Sequence, residues 1–195
     1  MKNLKLVLAS QSPRRREILE NAGVQFIIRP VDADETIPQG ASPSQAVLLL
    51  SERKARAAAK ESSADETVLA ADTIVALDGK ILGKPASPQE AQEMLRMLSG
   101  RTHAVYTGVC AMNAERSEKF FCRTEVTFYE LSEREISAYV NTSEPLDKAG
   151  AYGIQKLGAL LVKEINGDYF NVVGLPVSQT VRMLLSFSGG ELFEL

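Results

Sequence analysis

Residues 67–82, TVLAADTIVALDGKIL, decide the fold class of this chain. The first part, 67–77, is a strongly apolar run that contains β-branched residues favoured in strands. An Asp-Gly pair follows at 78–79, and this pair is typical of the two-residue turn of a β-hairpin. We therefore predict a buried strand over 67–77 and a short returning strand over 80–82.

Short apolar runs alternate with segments of helical spacing on both sides of this hairpin. Three predicted helices open on a Ser-Pro pair, in which serine can cap the helix and proline suits its first turn. The predicted strands are 4–9, 24–28, 101–112, 119–131, 160–165 and 169–173, and the predicted helices are 13–22, 43–60, 88–98, 132–140 and 176–186. This order predicts an α/β fold with a mixed β-sheet flanked by helices.

The composition narrows the class of protein. The chain, 1–195, has the size of one domain, with 45% hydrophobic and 24% charged residues, as in ordinary globular proteins. The net charge of −3 argues against general nucleic-acid binding, which relies on an excess of Lys and Arg. No apolar run approaches the length of a membrane span, and the first run is too short for a signal peptide. We expect a single-domain cytoplasmic protein that binds neither nucleic acid nor membrane.

The first candidate site is the segment 10–16, SQSPRRR. If Ser12 caps the helix, Arg14, Arg15 and Arg16 fall in its first turn, where the helix dipole favours anions over cations. Three arginines beside free backbone N–H groups indicate a phosphate site after the first strand. A solvated basic turn explains the same pattern about equally well. No Gly-x-x-x-x-Gly-Lys-Ser/Thr phosphate loop occurs in the chain.

The second candidate is Asp72, a carboxylate inside an apolar strand, where an unpaired charge is costly. In the predicted hairpin Leu77 lies opposite Lys80, and the ladder continues until Thr73 lies opposite Lys84. Asp72 then lies beside Lys84 at the open end of the hairpin. A carboxylate and a lysine near a loop suit a metal-phosphate site, in which the acid binds Mg²⁺ or activates water. A structural ion pair, or a strand end open to water, gives the same spacing.

The third candidate is the glycine-rich segment 144–155, EPLDKAGAYGIQ, which we predict to be a loop. Gly150 and Gly153 permit close approach of the backbone to a ligand. The amide of Gln155 can pair with the donor and acceptor edge of a nucleobase. Most loops of this composition are only turns, so this segment alone indicates little.

Taken in order along almost the whole chain, these segments resemble the Maf family of nucleoside triphosphate pyrophosphatases, also called septum formation proteins. The matching motifs are LASQSPRR at 8–15, KA at 54–55, ADT at 71–73, GKP at 83–85, LSGRTH at 98–103, EPLDKAGAYGIQ at 144–155 and GLP at 174–176. The resemblance implies an α/β architecture similar to the inosine triphosphate pyrophosphatases. It also implies hydrolysis between the α- and β-phosphates, a divalent cation (Mg²⁺ or Mn²⁺) and a homodimer.

The resemblance also implies roles for particular residues. Asp72 corresponds to the proton acceptor, and Asp72 and Glu35 correspond to the metal ligands. The positions that line the triphosphate are Ser10, Arg14, Arg15, Lys54 and Lys84. Arg14, Thr73 and Gln155 match the subgroup that acts on dTTP and UTP.

The sequence thus predicts a dTTP/UTP pyrophosphatase that acts on the ordinary nucleotides or on modified pyrimidine nucleotides. The alternative is a non-catalytic nucleotide-binding regulator of septum formation. Such a regulator would bind nucleotides without metal-dependent turnover.

Overall fold

The apolar strand predicted at 67–77 lies inside a mixed sheet in the computed structural model of the chain, which describes residues 4–190. Within that range seven strands pair into one sheet. They are β1 (Lys5–Leu8), β2 (Ile27–Ile28), β3 (Glu66–Leu77), β4 (Lys80–Leu82), β5 (Thr102–Met112), β6 (Ser117–Phe128) and β7 (Val162–Asn166). The sheet order is β2-β1-β3-β5-β6-β7, with β4 also paired to β3. β1 runs parallel to β2 and β3, and every other pair is antiparallel.

Helices cover the sheet. They are α1 (Pro13–Asn21), α2 (Pro43–Ala59), α3 (Pro88–Leu98), α4 (Glu133–Val140), α5 (Tyr169–Val173) and α6 (Val177–Ser188), with 3₁₀ turns at Glu144–Asp147, Ala149–Ala151 and Lys156–Leu161. The predicted α/β class, with a mixed sheet flanked by helices, is therefore confirmed. None of the helices within 4–190 is long and apolar enough to cross a membrane.

The Ser-Pro openings act as predicted at two of the three helices. Ser42 caps α2 in a reciprocal capping box with Gln45, and Ser87 accepts a hydrogen bond from the third residue of α3. Ser12 stands at the cap position of α1, but its side chain makes no capping bond. Its own backbone N–H donates to Ser10 Oγ instead, at 3.2 Å.

Alternation along β3 sends successive side chains to opposite faces of the sheet. Val68 and Ala70 pack with Ala55 and Ala58 of α2 on one face. Leu69 and Ala71 belong to the larger core on the other face, which includes α1 and α3. Asp72 continues the first series and Thr73 the second, so the two side chains leave the strand toward opposite faces.

Gly108 of β5 allows α2 to lie directly on the sheet. It pairs with Asp72 across the β3–β5 ladder, and a Cβ at this glycine would overlap the backbone carbonyl of Val47 in α2. Only glycine permits so close an approach. Lys54 follows Val47 on the same side of the helix, at a spacing of two turns. The close contact at Gly108 therefore turns the side of α2 that carries Val47 and Lys54 toward Asp72.

The hairpin has the predicted register at its turn and a shorter ladder than predicted. Leu77 pairs with Lys80, but the ladder ends at Val75 and Leu82. The expected pairing of Thr73 with Lys84 was wrong, because the chain leaves the sheet at Gly83, whose carbonyl oxygen accepts from the backbone N–H of Gly150 at 3.0 Å.

Four other elements differ from the prediction. Tyr169–Val173 was predicted as a strand and is the helix α5, because Asp168 caps it by accepting from Phe170 N and Asn171 N. β7 begins at Val162, after the 3₁₀ turn Lys156–Leu161, and the strand predicted at 24–28 is reduced to Ile27–Ile28. The predicted loop at 144–155 contains two of the 3₁₀ turns.

Candidate active site

A gap along one edge of β3 holds the two candidate residues of that strand. β1 pairs with β3 up to Leu69, and β4 pairs with the same edge from Val75 onward. Asp72 and Thr73 lie between these two ladders, beyond the carboxyl end of β1. In α/β sheets, ligands commonly bind outside the carboxyl ends of strands where neighbouring connections diverge. The pairing of β3 therefore leaves an opening for a ligand at these two residues.

Lys54 joins two carboxylates on the α2 face of the sheet. Its Nζ lies 2.5 Å from Asp72 Oδ1 and 2.7 Å from Glu35 Oε1. The side chains of Lys54 and Asp72 are only 16% and 14% exposed, whereas that of Glu35 is 63% exposed. A buried charge needs a close partner of opposite sign, which this bridge supplies. One ammonium thus holds the loop carboxylate next to the strand carboxylate.

The acidic loop before α2 contributes Glu35, because its neighbour Asp34 is held elsewhere. Asp34 forms an ion pair with Arg53 at 3.0 Å and accepts from the backbone N–H of Thr36. The hydrogen bond from Lys54 lowers the pKa of Glu35 despite partial burial, and the charges of Lys84 and Arg15 act in the same direction. Glu35 is therefore ionised at neutral pH.

Arg15 connects three chain segments on the other face. Its Nε donates to the Gly174 carbonyl oxygen at 2.9 Å, its Nη1 to Ser10 Oγ at 3.3 Å and its Nη2 to Thr73 Oγ1 at 3.1 Å. Burial lowers the pKa of the guanidinium, and the negative charge of Asp72 opposes this effect. The side chain thus fixes the end of β1 relative to the middle of β3.

A buried chain of hydrogen bonds continues from Thr73 into the sheet. Thr73 Oγ1 and Thr107 Oγ1 lie 2.9 Å apart, and Thr107 Oγ1 donates to the carbonyl oxygen of Asn171 at 2.9 Å. The Asn171 amide donates in turn to Val105 O and Thr124 Oγ1. Sequence reasoning named neither Thr107 nor Asn171. A threonine in the middle of an apolar strand is the signal that could have identified Thr107.

The structure links the remaining candidates to the site less directly. Lys84 is exposed just after β4, and its positive charge helps to lower the pKa of Glu35. Arg14 is half-buried, and its positive charge helps to lower the pKa of Asp147 in the first 3₁₀ turn. Gln155 is half-buried before the turn Lys156–Leu161. Within the described residues, no hydrogen bond or ion pair joins Arg14, Lys84 or Gln155 to Asp72.

The donor set fits a divalent cation that is shared with a substrate. No group of three or more His, Cys, Asp or Glu side chains forms a metal site in residues 4–190. Asp72 and Glu35 nevertheless converge on one cation, the Lys54 ammonium. Mg²⁺ is commonly held by one or two carboxylates together with phosphate oxygens and water. The two carboxylates therefore suit a cation that completes its coordination with a phosphate.

A separate groove of about 270 Å³ lies near the hairpin turn. Its lining includes Pro43, Asp78, Tyr106 and Arg123, and it contains none of the candidate residues. The gap in β3, and not this groove, contains the candidate residues Asp72 and Thr73. The gap is where charges and hydrogen bonds from α1, α2 and the acidic loop converge.

Comparison with known proteins gives the family of the chain. A family profile described as "Maf-like protein" matches residues 5–187. The dTTP/UTP pyrophosphatase of Bacillus cereus strain AH820 is 54% identical over 184 residues, which cover 94% of this chain and 96% of the relative. That of Bacillus cytotoxicus is 53% identical over 186 residues, covering 95% and 97%.

Among solved structures, the Staphylococcus aureus Ham1 protein matches with a TM-score of 0.46 and 17% identity. The match covers 64% of this chain and 71% of that one. The family profile spans nearly all of the described residues, and the relatives that carry the enzyme name are more than half identical. The chain belongs to the Maf family.

Proposed function

We propose that this chain hydrolyses dTTP and UTP to the nucleoside monophosphate and pyrophosphate. The observation that carries the proposal is the bridge of Lys54 between Asp72 and Glu35 at the gap in β3. The names of the relatives, at 53–54% identity over nearly the whole chain, support the reaction and the substrate pair. The substrate is either the ordinary nucleotide or a modified pyrimidine nucleotide.

Positive charges surround the proposed triphosphate position from both faces of the sheet. Lys54 contacts Glu35, the charges of Lys84 and Arg15 both lower the pKa of Glu35, and Arg14 and Arg15 lie in the first turn of α1. The N-terminus of α1 adds backbone N–H groups that favour an anion, and Ser10 lies beside it. As charge shifts toward pyrophosphate during the reaction, these cations stabilise the leaving group.

Asp72 is the proposed proton acceptor for the attacking water. Its Oδ1 accepts from Lys54, and no donor within 4–190 reaches its Oδ2. A carboxylate with one oxygen held and the other free can orient a water molecule and take its proton. The bond to Lys54 fixes the direction of the free oxygen.

Asp72 and Glu35 would hold the divalent cation, Mg²⁺ or Mn²⁺, together with phosphate oxygens of the substrate. When bound, the cation supplies positive charge that polarises the phosphate. Lys54 contacts both carboxylates, so this ammonium and the cation would share the same pair of oxygen donors.

Thr73, Gln155 and Arg14 are the proposed determinants of base and substrate choice. The Gln155 amide makes no hydrogen bond to another side chain or backbone group within the described range, which leaves its donor and acceptor available for a base edge. Thr73 is held by Arg15 and Thr107, so its hydroxyl has a fixed position. Fixed polar groups discriminate between bases more strongly than apolar contacts do.

We extend the proposal to residues 1–195 as one domain that works as a homodimer in the cytoplasm. Its partner is a small nucleotide. The net charge of −3 supports this choice over nucleic acid, because polynucleotide binding relies on a large excess of positive charge.

A panel of nucleoside triphosphates tests the function. Purified protein with Mg²⁺ or Mn²⁺ is expected to release pyrophosphate from dTTP and UTP faster than from CTP, ATP or GTP. Chelation of the metal should stop release. Binding of dTTP without metal-dependent release would reject the enzyme and favour the nucleotide-binding regulator of septum formation.

A further inference from the structure

The segment 153–158, which carries Gln155, is closed at its two ends. A Cβ on Gly158 would overlap the Gly153 carbonyl oxygen, so the first and last residues of the segment are in backbone contact. This contact requires glycine at Gly158. Gln155 lies between the two ends, just before the turn Lys156–Leu161. The segment is thus a narrow loop with Gln155 in its middle part.

One tyrosine and one glutamate tie the two ends together. Tyr139 of α4 accepts from Gly153 N through its hydroxyl at 3.2 Å and donates to Glu144 Oε1 at 3.0 Å. Glu144 Oε1 also accepts from Gly158 N at 3.3 Å. Tyr139 is 5% exposed, and burial raises the pKa of its hydroxyl, which therefore remains a donor at neutral pH. Both backbone N–H groups at the loop ends are satisfied by this pair.

The backbone beside Gln155 adopts a conformation that needs support from its surroundings. Lys156 has a φ of +52°, in the left-handed region that residues other than glycine rarely occupy. Such strain persists where neighbouring structure determines the conformation, and it occurs frequently at ligand sites. The hydrogen bonds of Tyr139 and Glu144 lie on both sides of this residue in sequence and provide that support.

We propose that Tyr139 and Glu144 are positioning residues for base selection. They hold the loop 153–158 in the shape that presents the Gln155 amide to the base, and they touch neither the triphosphate nor the reacting atoms. The inference rests on the proposed function, in which Gln155 distinguishes uracil from cytosine. Their effect is therefore on the preference for UTP over CTP, more than on the rate of the chemical step.

Removal of the tyrosine hydroxyl tests the proposal. Tyr139→Phe should lower the ratio of kcat/KM for UTP over CTP by about tenfold, while kcat for UTP changes less. Glu144→Ala should lower the ratio likewise, and Glu144→Gln should retain it, because its amide oxygen can accept from both Gly158 N and Tyr139. A folded Tyr139→Phe protein with an unchanged ratio would overturn the proposal.

A double variant and a matched control separate positioning from general destabilisation. In a Gln155→Ala background, Tyr139→Phe should produce no further change in the ratio. Tyr152→Phe removes another buried tyrosine hydroxyl, 2.7 Å from His103 Nε2 and just outside the loop, and should leave the ratio unchanged. The inference is contradicted if Tyr152→Phe lowers the UTP/CTP ratio as much as Tyr139→Phe does. It is also contradicted if the effects of Gln155→Ala and Tyr139→Phe on that ratio add in the double variant.

The failure of the proposed function gives a different result. A wild-type protein that releases no pyrophosphate from any triphosphate rejects the proposed function itself. A wild-type protein that prefers UTP to CTP, with a Tyr139→Phe variant that prefers it equally, rejects the inference alone. A wild-type enzyme that turns over UTP and CTP equally rejects the role of Gln155 and the inference together.

Discussion

Lys54 and Asp72 form a short ion pair, with 2.5 Å between Nζ and Oδ1, which joins a helix to the strand that follows it in the chain. The pair exists because α2 lies directly on β5 at Gly108, opposite Asp72. The pair also lies in the part of β3 between its ladder with β1, which ends at Leu69, and its ladder with β4, which begins at Val75. The charged pair therefore lies at an opening in the strand pairing, where we propose that the substrate binds.

Replacement of Lys54 separates metal binding from nucleotide binding. In Lys54→Met the two carboxylates lose the ammonium that neutralises them, so Mn²⁺ alone should bind about tenfold tighter, or ~1.4 kcal/mol. Binding of dTTP should weaken, because a cation is lost at the triphosphate. The free Mn²⁺ signal in electron paramagnetic resonance measures the first effect without turnover. Lys60→Met, at the end of the same helix, is the control. Equal Mn²⁺ affinity in the wild type, Lys54→Met and Lys60→Met would refute the claim that Lys54 and the divalent cation share the oxygens of Asp72 and Glu35.

Gln155→Glu should shift the preference away from dTTP and UTP. The substitution removes the amide donor and places a negative charge against the carbonyl oxygen of the base. The kcat/KM for UTP should fall by about a hundredfold relative to that for CTP. Gln179→Glu on the exposed side of α6 controls for added charge. If Gln155→Glu keeps the wild-type substrate profile, Gln155 does not contact the base.

The buried ring of His103 should make the free energy of unfolding depend on pH. Its ring is buried against Phe128 and Tyr152, and burial lowers the pKa of His103 from 6.5 to about 4. As pH falls below 6.5 the unfolded chain takes up a proton that the folded chain does not. The stabilisation is therefore complete above pH 6.5 and is lost progressively toward pH 4.

Urea unfolding measures this effect. The free energy of unfolding should fall by roughly 2 kcal/mol between pH 7 and pH 5 from this group. His103→Phe keeps an aromatic ring beside Phe128 and should show a much smaller change over the same interval. An equally steep loss in the variant would assign the pH dependence to other groups.

The sequence was sufficient for local features whose signal lies within a few residues. The Asp-Gly turn predicted the pairing of Leu77 with Lys80, and the Ser-Pro pairs predicted three helix starts. The same local reasoning was wrong for Tyr169–Val173, where aromatic and β-branched residues suggested a strand. There the cap at Asp168 determines a helix.

The contacts of the site depend on packing that no local pattern specifies. The sequence identified Asp72 as an unusual charge and expected Lys84 beside it through the hairpin. The structure places Lys54 against Asp72, and this contact depends on how closely α2 approaches Gly108. The choice of Glu35 among neighbouring acids likewise depends on Arg53, which holds Asp34.

Hydrolysis of UTP by wild-type protein and by Asp72→Asn, followed by ³¹P nuclear magnetic resonance with Mg²⁺ present, tests the central claim most directly. We expect the wild type to form UMP and pyrophosphate in equal amounts. The variant should remain folded and bind the nucleotide, with turnover lowered by about a thousandfold or more. Asp78→Asn, at the hairpin turn, should behave as the wild type. Formation of UDP and orthophosphate, or wild-type rates in Asp72→Asn, would contradict the account.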